Sequence, residues 1–177
     1  MHWPPVILVA EDNNDEFVLL RCAFESAGFP HRLIGVAHGE EALEYLYAKE
    51  GYRDRAKFPF PDLMLVDLHM PVMNGFDVLA AVGNRPEFQR LPIVVLSSND
   101  DPISIRTAQR LGAREYILKP LMMVERVKMV RGLHERWLGG RINLTQARAA
   151  EARVNFIRDD GANWETEHQN PDGQKSP

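Results

Sequence analysis

The sequence predicts an α/β domain, an open parallel sheet with helices packed on both faces. Three observations carry this. The short apolar runs at Val6–Ala10, Leu63–Val66 and 92–96 are continuous rather than alternating, as in strands buried on both sides. Helically spaced apolar residues follow each strand, so strand and helix alternate five times between residues 6 and 138. Polar and charged residues stand directly after the strands, where a parallel sheet opens its ligand crevice.

In chain order, Val6–Ala10 is the first strand, with Glu11 and Asp12 at its end. Phe17, Leu20, Phe24 and Ala27 then recur at steps of three and four, and Gly28 closes that helix. Arg32–Val36 is a weaker strand, and residues 40–49 form a helix with Ala42, Leu43 and Leu46 inward. The segment 51–61 is a loop rich in charge, aromatics and proline. Leu63–Val66 is the third strand and ends in Asp67; a turn-rich stretch at 71–75 leads to a helix over 76–82. The fourth strand, 92–96, ends at Ser97 and Ser98. Asp101 and Pro102 read as N-cap and first residue of a helix that reaches Leu111 and stops at Gly112. In it Ile105, Ala108 and Leu111 point inward, leaving Ile103 as a spare apolar residue. Glu115–Leu118 is the fifth strand, ending at Lys119 and Pro120. A long helix over 122–138 follows, with Val127, Val130, Leu133 and Trp137 inward and Met122 and Met129 at the edge of that stripe.

A domain over 1–140 is thus followed by a helical extension, 141–160. There Leu144, Ala147, Ala150, Val154 and Ile157 share one stripe, and Asn143 with Gln146 resembles a capping box. The polar tail 161–177 is expected to be disordered.

Composition excludes several classes. A net charge of -4 advertises no general surface for nucleic acid. One cysteine, Cys22, excludes a disulfide scaffold and reads as a small buried hydrophobe. No apolar run approaches the roughly 18 residues of a membrane span. The N-terminal Met1-His2-Trp3-Pro4-Pro5 lacks the features of a signal peptide. A cytoplasmic protein is expected, with no membrane and no nucleic-acid partner. The six histidines lack metal-ligand spacing, which argues against zinc.

The strand ends carry the chemistry. They bring Glu11, Asp12, Asp67, Ser97 and Lys119 towards one crevice. Clustered carboxylates repel one another, and a hard divalent cation relieves the repulsion. Lysine and serine suit phosphoryl oxygens, and a carboxylate can itself be the nucleophile. Taken singly, an acid after a strand is more often a helix cap or a solvated loop residue; it is the joint pattern that points to phosphoryl transfer. As strand-end groups, Ser97 and Lys119 are expected to have polar heads that reach solvent.

These segments resemble the receiver domain family of response regulators, over about residues 5–138. The motifs are Ile7-Leu8-Val9-Ala10-Glu11-Asp12-Asn13, Leu65-Val66-Asp67-Leu68-His69-Met70-Pro71-Val72-Met73-Asn74-Gly75, Val94-Val95-Leu96-Ser97-Ser98, and Gly112-Ala113-Arg114-Glu115-Tyr116-Ile117-Leu118-Lys119-Pro120. The resemblance implies a flavodoxin-like doubly wound five-stranded sheet in the order 2-1-3-4-5, here with an extra C-terminal helix. It implies Asp67 as phosphoacceptor, with a histidine kinase as donor. It further implies Mg²⁺ or Mn²⁺ held by Asp12 and Asp67, by Glu11 through water and by the backbone carbonyl of His69. Ser97 resembles the switch hydroxyl and Tyr116 the aromatic that follows it. Lys119 resembles the phosphoryl contact, held by a cis bond before Pro120. The chain departs from the commoner pattern in having Glu11 as its first acid. His69 and Asn99 occupy the variable positions that tune phosphate lifetime.

Within the family, the long segment before the third strand and the Trp137-Leu138 ending resemble stand-alone regulators paired with bacterial phytochrome kinases. A homodimer through the face of the fourth helix, fifth strand and fifth helix is expected; cover by the monomer itself is the alternative. A phosphorylation-independent scaffold and a phosphohydrolase of the haloacid dehalogenase type remain as other readings. The latter wants an Asp-x-Asp on its first strand, whereas the acid pair here comes first and Asp67 stands alone. About 40 residues after Leu138, offering one amphipathic helix, disfavour a DNA-binding output.

Overall fold

A computed structural model describes residues 4–139. The predicted extension 141–160 and tail 161–177 lie outside the described residues. Strands β1 (Val6–Ala10), β2 (Arg32–Val36), β3 (Leu63–Val66), β4 (Ile93–Ser97) and β5 (Glu115–Leu118) form one sheet in the order β2-β1-β3-β4-β5. Every pairing is parallel, with Leu8 beside Ile34 and Met64, and Val66 beside Val95. This is the flavodoxin-like order that the sequence motifs implied.

The continuous apolar runs follow from the two-sided burial. Leu8, Ala10, Met64, Val66, Ile93 and Val95 face one cluster, shared with α2 (Gly39–Leu46), α3 (Gly75–Val82) and α4 (Pro102–Arg110). Ile7, Val9, Leu63, Leu65, Val94 and Leu96 face the other, shared with α1 (Asn14–Ala27) and α5 (Met123–Leu133). Each fully buried aliphatic side chain contributes about 1.5–3 kcal/mol, so the central strands make a stiff frame.

Local signals set the helix ends. Asn13 caps α1 by accepting from the N–H groups of Asp15 and Glu16. Gly28, at φ 80°, ends it in the left-handed conformation that glycine tolerates. Asn74 and Asp77 form a reciprocal capping box on α3, and Asp101 caps α4 through Ser104.

Several boundaries differ from expectation. The second helix ends at Leu46 rather than residue 49, because Ala48 (φ 53°) and Glu50 (φ 46°) turn left-handed and stop the ladder. Met122 is the N-cap of α5 rather than part of it, and α5 stays regular only to Leu133. Residues His134–Leu138 form a wider π-helical turn. Arg136 and Trp137 both reach the Glu115 carboxylate there. Consecutive residues of a regular helix point roughly 100° apart, so sharing one carboxylate favours the wider turn. Met129 packs partly buried against the core, and Cys22 is half-buried rather than buried.

Candidate functional site

The site lies at the carboxyl ends of β1, β3, β4 and β5. Two backbone bonds continue the sheet beyond its strands and aim the functional groups. The Asp67 N–H donates to the Ala10 carbonyl at 2.9 Å, and the Lys119 N–H donates to the Ser97 carbonyl at 2.8 Å. Asp67 is therefore held by β1 as well as by its own strand, with 8% of its surface exposed.

Glu11, Asp12 and Asp67 each offer a carboxylate oxygen, and these oxygens lie within 4.8 Å of one another. Lys119 reaches into this cluster, its Nζ 2.6 Å from Glu11 Oε2 and 3.1 Å from Asp67 Oδ2. One ammonium thus answers part of the repulsion among the acids. Burial pushes the Glu11 carboxyl up from its ordinary value, and Lys119 only partly opposes this. Burial alone would push the Lys119 ammonium down, but the Glu11 hydrogen bond and the charges of Glu11 and Asp67 reverse this and hold it raised. Three oxygens of hard character, with Asp12 exposed, fit a hard divalent cation that keeps some water.

The loop after Asp67 is tightly built. A Cβ on Gly75 would lie 2.2 Å from the Asp67 carbonyl oxygen, so no larger residue fits without moving that backbone. The Gly75 N–H donates to the Leu68 carbonyl, and the Met73 N–H to Pro71. Val72, a β-branched residue at φ 64°, is strained in this turn. The His69 N–H donates to Asp67 Oδ1 at 3.3 Å, which places the His69 backbone beside the acid.

A second group sits on β4 and β5. Ser97 Oγ accepts from the Asn99 N–H at 3.2 Å, and the Tyr116 hydroxyl donates to the Asn99 carbonyl at 2.6 Å. The loop residue Asn99 therefore joins Ser97 to Tyr116, a role sequence reasoning missed because backbone groups carry it. The expectation that the heads of Ser97 and Lys119 reach solvent is corrected. Ser97 is fully buried, and the Lys119 side chain is 8% exposed, drawn inward by its two carboxylates.

Behind the acid cluster, Arg126 of α5 makes a two-pronged bond to Glu16 of α1, at 2.9 and 3.2 Å. Its stem is buried and its Nε has no partner among the described residues. The pair ties the first turn of α1 to α5, the helix after Lys119; its length in sequence, Glu16 to Arg126, left no local signal.

Comparison with known proteins identifies the family and the fold. The family described as response regulator receiver domain matches residues 7–131. A probable methanogenesis regulatory protein, FilR2 of Methanothrix harundinacea, is 32% identical over 136 residues, covering 77% of this chain and 85% of the relative. Response regulator Rcp1 of Synechocystis is 30% identical over 135 residues, covering 76% and 90%. Among solved structures, response regulator RPA3017 in red light signalling of R. palustris gives a TM-score of 0.72 at 30% identity, covering 76% of this chain and 94% of that one. A phosphorylated cyanobacterial phytochrome response regulator, RcpA, gives 0.70 at 31% identity, covering 78% and 96%. The Mn²⁺-bound form of Rcp1 gives 0.68 at 28% identity, covering 79% and 98%.

Proposed function

Because this chain belongs to the receiver domain family of response regulators, we propose that it is the phosphoacceptor of a two-component His–Asp relay, modified on Asp67. The supporting observation is the buried Asp67 carboxylate, flanked by Glu11, Asp12 and the Lys119 ammonium. An Asp67 carboxylate oxygen attacks the phosphorus of a phosphohistidine. The new O–P bond forms as the P–N bond breaks, and the imidazole leaves with the electron pair and takes a proton. Lys119 exchanges its carboxylate contact for a phosphoryl oxygen, and Ser97 donates to another. The Tyr116 ring follows Ser97 through Asn99, carrying the change to the β5 face.

Glu11, Asp12, Asp67 and the His69 backbone carbonyl would hold Mg²⁺ or Mn²⁺, with Glu11 acting through water. When bound, the ion supplies neutralisation of charge on the transferring phosphoryl group.

The donor is a cytoplasmic histidine kinase of the bacterial phytochrome class, as the names of RPA3017 and RcpA suggest. Among the described residues no helix is long and apolar enough to cross a membrane. A homodimer through α4, β5 and α5 is supported by the apolar groups exposed there, Ile103, Leu118, Leu121 and Met122. Met129, placed at that seam by its sequence position, is partly buried and packs against the core, so it offers the seam less surface than these four.

Incubation with Mg²⁺ and acetyl phosphate, read by intact mass, tests the chemistry. One hydroxylamine-labile phosphoryl group is expected in the native chain and none in Asp67→Asn. A full-yield addition to Asp67→Asn overturns the assignment.

A further inference from the structure

The segment between α2 and β3 lies at the amino end of the sheet, away from Asp67. It builds a surface whose cations, among the described residues, form no ion pair, although the exposed acids Glu50 and Asp54 stand between them in the chain. The left-handed residues Ala48 and Glu50 fold it back on the domain. Its inner rings, Tyr52 and Phe58, pack on Tyr45 at 5.0 and 6.2 Å. Its outer rings, Tyr47 and Phe60, are 37% and 39% exposed and flank Phe88. The cations rest on these rings. Lys49 Nζ lies 5.5 Å from the Tyr47 centroid, Lys57 Nζ 5.2 Å from that of Phe58, and the Arg55 guanidinium 5.9 Å from that of Phe60. Arg53 beside them is exposed. Among the described residues none of Lys49, Arg53, Arg55 and Lys57 forms an ion pair.

Ordered cations and half-exposed rings suit an acidic peptide carrying an aromatic anchor. The chain contains one. Residues 159–172 hold Asp159, Asp160, Glu165, Glu167 and Asp172, have no lysine or arginine, and carry Trp164 in their midst. The preceding stretch, 141–158, is of opposite sign, with Arg141, Arg148, Arg153 and Arg158 against Glu151 alone. Charge is thus segregated along the chain, and the acidic part matches the unpaired cations. Reach is no obstacle. At up to roughly 3.3 Å per residue, the stretch from Gly139 to Trp164 is several times longer than the ~13 Å radius of gyration of a domain of about 100 residues.

We propose that residues 159–172 dock on the Lys49–Phe60 surface of their own chain, with Trp164 against Tyr47 and Phe60 and the acids on Lys49, Arg53 and Lys57. The docked segment occupies that surface against other acidic partners. This does not depend on the chemistry proposed for Asp67.

The test uses the full chain with Cys22→Ser and Ala162→Cys, a nitroxide on residue 162, and amide NMR signals as readout. Loss of the Tyr47, Arg53 and Phe60 signals is expected. Their recovery is expected in Arg53→Glu/Lys57→Glu and in about 1 M salt, where the Debye length falls to about 3 Å. Broadening on the α4–β5–α5 face, or spread evenly over the domain, overturns the proposal. So does broadening of equal strength when spin label and isotope sit on different molecules, which places the segment on a second copy. A second readout retains Cys22. The emission difference between the native chain and Trp164→Phe reports Trp164, and it should shift red in Arg53→Glu/Lys57→Glu; an unchanged emission also overturns the docking.

Discussion

β3 and β5 each end in a residue of the site, yet the sheet holds them differently. Leu63–Val66 is fully buried, with neighbours on both sides, and delivers Asp67. Glu115–Leu118 is the outer strand, half-buried along its length with Leu118 49% exposed, and delivers Lys119. An acceptor on a central strand stays where phosphoryl transfer needs it. Under the function proposed above, a contact residue following an edge strand, next to the exposed Leu118, can shift with the state of the site and alter a surface. Under that function, the division would put chemistry on the stiff half of the molecule and readout on the loose half.

Substitution in β3 tests the stiff half and should have the largest effect. Leu65 has no exposed surface and packs in the cluster under α1 and α5. Leu65→Ala removes buried methyl groups and leaves a cavity, an expected loss of about 2–5 kcal/mol in urea unfolding. A loss under about 1 kcal/mol would mean that the central strands relax as easily as the edge, and the contrast would fail.

The same contrast recurs within the chain after β5. The approach to α5 is exposed at Leu121 (95%) and Met122 (66%), whereas its far end is locked. There the His134 ring stacks on Phe29 at 3.8 Å, and its Nδ1 lies 3.4 Å from His31 Nε2. His31 also packs on Phe24, and its Nδ1–H donates to the Phe29 carbonyl. Burial holds the His31 imidazole down at about 4, against the Phe29 hydrogen bond that favours its charged form, and the His134 charge adds to the depression. Burial also lowers His134, with the Glu135 charge opposing. Both values are depressed in the folded chain, so the unfolded chain binds protons first. The stability they contribute is complete above about pH 6.5 and is lost as pH falls towards 4. For His31 the loss is about 2–3 kcal/mol. Urea unfolding across that range should show the decline, and His31→Asn should flatten it. A native profile that is level between these values would show that the far end of α5 is as open as its start.

How much of this was legible in the sequence depends on the range of the interactions. The strands, the capping residues Asn13, Asn74 and Asp101, and the acid and lysine positions are written in local pattern and motif. The burial of Lys119 was not, because it depends on Glu11, more than a hundred residues away. The wide turn at His134–Leu138 carries contacts to Glu115, about twenty residues away, and the orientation of Met129 depends on how α5 lies against the sheet. The early end of α2 reflects left-handed backbone at Ala48 and Glu50, residues that do not advertise it as glycine would. Local chemistry therefore foretold which groups meet, and long-range packing decided how deeply they sit.

The smallest effect is expected on the loose edge. Leu118 neighbours Ser97 in the β4–β5 register, but nearly half of its surface faces solvent. Truncating a half-exposed side chain on an outer strand removes little packing and leaves no closed cavity, so Leu118→Ala should cost no more than about 0.5 kcal/mol in urea unfolding. Its consequence should appear in association instead. If the α4–β5–α5 face joins two copies, losing this apolar group weakens the dimer while the monomer keeps its melting temperature. Light scattering over a concentration series reads the first, and thermal unfolding at low concentration reads the second. A shifted mass with unchanged stability would sharpen the comparison, assigning β5 to recognition rather than to holding the fold. A stability loss above about 1 kcal/mol would break it, showing that the strand carrying Lys119 is gripped as firmly as the strand carrying Asp67, and that the signal leaves the site by another route.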